Sequence, residues 1–225
     1  MTSEVEAAAR APQTAPAGIP LSLFALAIFY GGMVCIAGVL GNKQVALGPL
    51  AVEAGIFAFL LLVVTSSSVA ELHGRSTANR LVLIGFVPLI ASLLLTLLVL
   101  QLPPSATMNA TVLDAFTTMM AATPRIWIGG ILAYGISTFL NVTIFSRLKR
   151  GEGSGFLWLR AGVASVLSQI VDTLIFITVA FYGVADSIVP LLEGQMIAKV
   201  VLSAVLVPPL VYAFVGLGRA LDARK

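Results

Sequence analysis

The chain has 225 residues, of which 59% are hydrophobic and 10% charged, with a mean hydropathy of +1.04 and a net charge of only +3. A soluble domain carries about 25% charged residues, so an ordinary cytosolic enzyme, a disordered chain and a nucleic-acid binder are excluded. One cysteine, Cys35, and one histidine, His73, allow no internal disulfide, no Cys- or His-rich metal site and little triad chemistry. A polytopic membrane protein remains.

Residues 1–20 hold Ala, Pro, Thr and two Glu without periodicity and read as a disordered cytoplasmic tail, not a signal peptide. A membrane-crossing helix needs about 20 apolar residues, and six stretches supply them: 21–41, 52–70, 81–102, 126–146, 161–182 and 196–217. The expected fold is therefore all-α, a six-helix transmembrane unit over 21–217 with a short cytoplasmic tail at 218–225. The first span holds Gly31, Gly32, Gly38 and Gly41, which permit close helix contact and suit a homodimer. Asn42 and Lys43 follow at its outer end. The second runs into Thr65–Ser68, then Glu71, His73 and Gly74. Glu71 shares a helical face with Ser67 and Ser68 and reads either as a site residue or as a solvated boundary charge. His73 reads as an exposed loop histidine. In the outer connection, 103–124, Asn109 caps a short helix with Val112, Leu113, Phe116, Met119 and Met120 on one face, ended by Pro124. That helix either lies on the bilayer or lids a substrate path. Trp127 is an interfacial anchor.

Polar residues inside a span are informative, because a central charge costs about 2.5–3.5 kcal/mol on insertion scales. In the fifth span Ser165, Gln169, Asp172 and Phe176 fall on one face, with Ser168 beside them. Asp172 is midway along, either in a ligand or ion site or as a structural acid satisfied by a neighbouring helix or by protonation. The fourth span carries a similar stripe of Tyr134, Thr138, Asn141 and Phe145. Ser137/Asn141/Phe145 recur as Ser168/Asp172/Phe176, 31 residues on, suggesting two helices that present equivalent groups to one cavity. The basic residues test the topology. With six spans, one side holds Arg10, Arg75, Arg80, Arg147, Lys149, Arg150, Arg160, Arg219, Arg224 and Lys225, and the other only Lys43, Arg125 and Lys199. Short basic loops stay cytoplasmic, which places both termini in the cytoplasm.

These residues resemble the queuosine precursor transporters, also called the vitamin uptake transporter family, from about Asn42 to Phe181. The likeness rests on Asn42-Lys43, Glu71-Leu-His-Gly74, Pro124-Arg125-Ile and, above all, Trp158-Leu-Arg160 followed by Ser165, Ser168-Gln169, Asp172-Thr173 and Phe176. The chain departs from the family pattern at Ser67, where an acid is usual, at Thr138 and Asn141, where Gln and Asp are common, and at His73, where Tyr is expected. The resemblance implies a multi-pass bacterial inner-membrane importer, without cofactor or metal, of a deazapurine base such as 7-cyano-7-deazaguanine for tRNA modification. Its partners would be that small molecule and the lipid bilayer, with no nucleic acid. A guanine-like edge presents two adjacent N–H donors, which one carboxylate accepts together, and Asp172 is the candidate. Gln169 and Asn141 offer amides, Ser168 and Thr138 hydroxyls, and Phe176, Phe145 or Tyr134 a stacking surface. Asn42, Glu71 and Arg160 complete the candidate set. Arg160 is either a cytoplasmic anchor or the partner of Glu71. Two other readings compete. The first is a membrane subunit of a vitamin importer energised by separate ATPases, since the chain has no G-x-x-x-x-G-K-[ST] motif. The second is an intramembrane protease suggested by Gly151-Glu-Gly-Ser-Gly155, which Glu152 argues against.

Overall fold

A computed structural model describes residues 18–41, 43–48, 50–121, 124–148, 156–183 and 188–223. The expectations for 1–17, for Asn42 and for the Gly151–Gly155 loop lie outside the described residues, as do the side chains of Arg125 and Trp127. The first helix, α1 (Leu21–Leu40), buries Ser22, Leu26, Tyr30 and Val34 at steps of four. That single stripe faces the bundle, while Phe24, Ile28 and Ile36 stay exposed on the surface a bilayer would cover.

Between α1 and the next helix the chain forms an antiparallel hairpin, β1 (Gln44–Leu47) and β2 (Leu50–Glu53), in the register Gln44↔Glu53 to Leu47↔Leu50. Nothing in the all-α reading anticipated it. Gly48, at φ +59°, takes the left-handed conformation that a two-residue hairpin loop requires. Val52 is fully buried, and β2 packs on the last helix. Antiparallel pairing satisfies the backbone groups of a short non-helical segment wedged against a membrane bundle.

The second and third expected spans are joined in one element, α2 (Gly55–Gln101), interrupted only at Gly74 (φ 83°, ψ 163°). A straight helix would separate Phe59 from Phe86 by about 40 Å at 1.5 Å per residue. Both rings instead meet Tyr134 edge-on, with centroids 6.5 and 5.1 Å away. The two halves therefore fold back on each other at Gly74, giving two crossings, so the five helices among the described residues that are long and apolar enough to cross are consistent with the six expected spans. After α2 comes α3 (Ala110–Met120), capped as expected by Asn109, whose Oδ1 accepts from the backbone N–H of Thr111 at 2.8 Å. It buries none of its residues; Met119 and Met120 face a small cavity shared with Cys35 and Ser92.

Three long helices complete the bundle: α4 (Pro124–Arg147), α5 (Leu157–Phe181) and α6 (Val189–Asp222). Helix α5 packs between α4 and α6, while α6 also touches α1 and α2. The start of α1, the reversal in α2 and the end of α6 meet at one end of the molecule. There the Ser22 hydroxyl donates to Asp222 Oδ2 at 2.6 Å and lies 2.8 Å from His73 Nε2. A hydroxyl has one proton, so His73 Nε2–H donates to Ser22. His73 is thus not a free loop histidine but part of a tie between three helix ends, and the hydroxyl proton points to a carboxylate rather than to the imidazole.

Candidate functional site

The interior between the first half of α2, α4, α5 and α6 is polar. Asp172, on α5, is buried midway along its helix. Its Oδ1 accepts from the Ser137 hydroxyl of α4 at 3.1 Å, and its Oδ2 accepts from Lys199 Nζ of α6 at 2.9 Å. The acid is therefore satisfied by neighbouring helices, one of the alternatives open from the sequence, and its ionic partner is a residue that the sequence reading had placed among the outer charges. Lys199 is buried, ten residues into α6, which is about 15 Å from the start of the helix. The sequence hides it, because an apolar stretch that begins at 196 makes a lysine three residues later look like a boundary charge.

The repeat in the fourth and fifth spans acquires a geometric meaning. Helices α4 and α5 run antiparallel, so Ser137 opposite Asp172 sets Asn141 level with Ser168 and Gln169. The contact is one-sided: α4 offers Ser137 to Asp172, whereas Ser168 donates within its own helix and Asn141 turns to α2. Asn141 Nδ2 donates to Ser67 Oγ at 3.0 Å and lies 3.4 Å from Ser66 Oγ, which ties α4 to α2. Ser67 and Asn141, two of the departures from the family pattern, are therefore in contact. One neutral hydrogen bond joins the positions where acids are usual.

Around this core several buried polar atoms make no hydrogen bond among the described residues: Thr138 Oγ1, Asn141 Oδ1, Ser165 Oγ and both amide atoms of Gln169. Leaving a buried polar group unpaired costs about 1–3 kcal/mol, and native interiors leave few. Four side chains of α4 and α5 are in this state. Helix α6 extends it. Gln195, Lys199 and Ser203 stand at steps of four, all buried, and Gln195 Oε1 and Ser203 Oγ are also unpaired. With Asp172 opposite Lys199, Phe176 is level with Gln195, and Gln169 with Ser203. The ammonium lies 5.8 Å from the centre of the Phe176 ring and 5.9 Å from that of Phe59.

The other expected residues separate into two groups. Ser168, although buried, turns its hydroxyl back to the Ser165 carbonyl at 2.9 Å. Tyr134 sits on the α4 stripe but points to α1, where its hydroxyl meets that of Tyr30 at 2.7 Å. Arg160 forms a buried ion pair with Glu71, linking α5 to the end of the first half of α2, and its guanidinium covers the Phe145 ring at 4.7 Å. That resolves the Arg160 alternatives in favour of the Glu71 pair, so Phe145 is covered by the guanidinium. Asn42 lies outside the described residues.

Comparison with known proteins agrees with this architecture. Residues 53–214 match the family described as "Putative vitamin uptake transporter". Over 121 residues the chain is 36% identical to the "Probable queuosine precursor transporter" of Bacillus subtilis (strain 168), an alignment covering 51% of this chain and 49% of that protein. The chain thus spans about half the length of the curated relative it matches. No solved structure matches it. A multi-pass bundle whose greater part fits the family model identifies the chain as a member of the vitamin uptake transporter family.

Proposed function

We propose that the chain imports a queuosine precursor, a neutral deazapurine base of the 7-cyano-7-deazaguanine type, through the interior between α2, α4, α5 and α6. The observation that carries this reading is the Asp172 carboxylate at mid-depth in an interior that also holds unpaired polar atoms of Gln169, Asn141, Thr138 and Ser165. A carboxylate accepts the paired N–H donors of a 2-amino-pyrimidinone edge in a charge-assisted fork. The Gln169 amide offers a donor and an acceptor, and Asn141 Oδ1 an acceptor, for the remaining ring edge. Phe176 and Phe59 offer flat apolar surface beside the carboxylate, as base-binding proteins use. The printed name of the Bacillus subtilis relative points to the same substrate class. On this reading Asp172, Gln169, Asn141 and Thr138 contact the base, whereas Arg160, Glu71 and Tyr134 hold helices in place.

The reading includes both termini in the cytoplasm of a bacterial inner membrane, supported by the ten basic residues on that side, and contact between two copies through α1, where a side chain at Gly31 or Gly32 would meet no atom of the chain within 4 Å. The test is uptake of labelled 7-cyano-7-deazaguanine by vesicles that contain this chain and no ATPase. Accumulation or exchange above protein-free vesicles is expected. Vesicles that take up none of the deazapurine bases would overturn the proposal, and uptake that appears only with added ATPase subunits would make the chain part of a larger importer.

A further inference from the structure

The sequence directs attention to Asp172, but the structure shows that this carboxylate is already engaged. Lys199 Nζ occupies Oδ2 at 2.9 Å and the Ser137 hydroxyl occupies Oδ1 at 3.1 Å. A base carrying two adjacent N–H donors needs both oxygens. It gains little by entering unless one of these partners leaves. Ser137 can turn its single proton elsewhere, since its hydroxyl also lies 3.3 Å from the Tyr134 carbonyl. The ammonium has a second station as well: the rings of Phe176 and Phe59 lie 5.8 and 5.9 Å away, within the range where an aromatic face attracts a cation. Above and below it on α6, Gln195 Oε1 and Ser203 Oγ are buried acceptors without a partner among the described residues. A lysine, with three donors on a flexible four-carbon stem, can change partners among these groups without leaving the interior.

We propose that Lys199 is a displaceable occupant of the Asp172 carboxylate, which the N–H edge of a neutral planar base replaces while the ammonium moves onto the Phe59/Phe176 rings and the unpaired oxygens of Gln195 and Ser203. The inference rests on the substrate reading above and deepens it. It gives the charge pair two functions: the carboxylate is neutralised when no base is bound, and only a ligand offering two adjacent donors competes with the ammonium. A base with one donor on that edge replaces less than it removes, so selectivity is built into the exchange.

The chain has four lysines, Lys43, Lys149, Lys199 and Lys225, so selective 15N-lysine labelling of the detergent-solubilised protein gives a side-chain spectrum simple enough to assign with the Lys199→Arg variant. Addition of 7-cyano-7-deazaguanine should move the Lys199 signal and leave the other three in place, while a thermal-shift assay on the same sample reports binding. Binding without movement of the Lys199 signal overturns the exchange and leaves the substrate reading standing. Absence of binding by 7-cyano-7-deazaguanine, its aminomethyl counterpart and the unsubstituted deazaguanine overturns both. Affinity is the second readout. Arginine holds a carboxylate with two parallel hydrogen bonds, so Lys199→Arg should fold with its pair intact and bind the base at least about ten-fold more weakly, because the fork is harder to displace. A Lys199→Arg variant with unchanged affinity would mean that Lys199 only neutralises charge.

Discussion

Arg160 and Glu71 are 89 residues apart in sequence yet form a buried ion pair. Removing one member of such a pair strands the other, at a cost of about 3–5 kcal/mol, whereas removing both is close to neutral. Arg160→Met should therefore lower the thermal midpoint of the solubilised protein sharply, and the Glu71→Gln/Arg160→Met double variant should recover most of the loss. A double variant no more stable than the single would mean that the pair is not the source of the effect. Asp172 was legible from the sequence because an acid halfway along an apolar run has no route to water. Lys199 was not, because a lysine near the presumed end of a span looks like a snorkelling anchor; only the true start of α6, at Val189, places it at depth. Gln195 is hidden for the same reason, since it falls outside 196–217, whereas Ser203 lies within that span, where a lone serine gives no signal of its own.

At the scale of elements, apolar length located the membrane helices of the described residues, because it is a local property of the chain. The hairpin 44–53 was not legible. Its strands are four residues long and equally apolar, and β2 is buried by a helix more than a hundred residues away. The fold-back at Gly74 was expected as a loop and is instead a single residue whose positive φ lets one helix reverse direction. Close approach matters at Gly85 in the second half of α2. A Cβ there would lie 2.7 Å from Tyr134 Oη and 2.7 Å from Tyr30 Cε1, and the hydrogen bond between the two hydroxyls holds both rings in place. Gly85→Val should destabilise the bundle by roughly 1–3 kcal/mol, as other overpacked cores do. Thermal unfolding checks this, and an unchanged midpoint would show that the tyrosine pair yields freely.

For the whole molecule, the charges predict an orientation with both termini in the cytoplasm. With the buried Lys199 and Arg160 set aside, nine basic residues remain on the side of the termini against two at the opposite edge. A fluorescent protein fused after Lys225 should mature and fluoresce, as it does only in the cytoplasm, and an alkaline phosphatase fusion at the same point should be inactive; the reverse pattern would invert the orientation. The Ser137–Asp172 contact between α4 and α5, the Lys199 pair and the unpaired polar atoms of Gln169 and Asn141 belong to one interior. The most direct test of that interior's role is made in a bacterium that cannot synthesise queuosine precursors and lacks its own transporter, fed 7-cyano-7-deazaguanine and assayed for queuosine in its tRNA. The wild-type chain should restore queuosine, and Asp172→Asn, inserted in the membrane to the same level, should leave it near that of cells without the chain. Equal restoration by Asp172→Asn, or none by the wild type, would contradict the account.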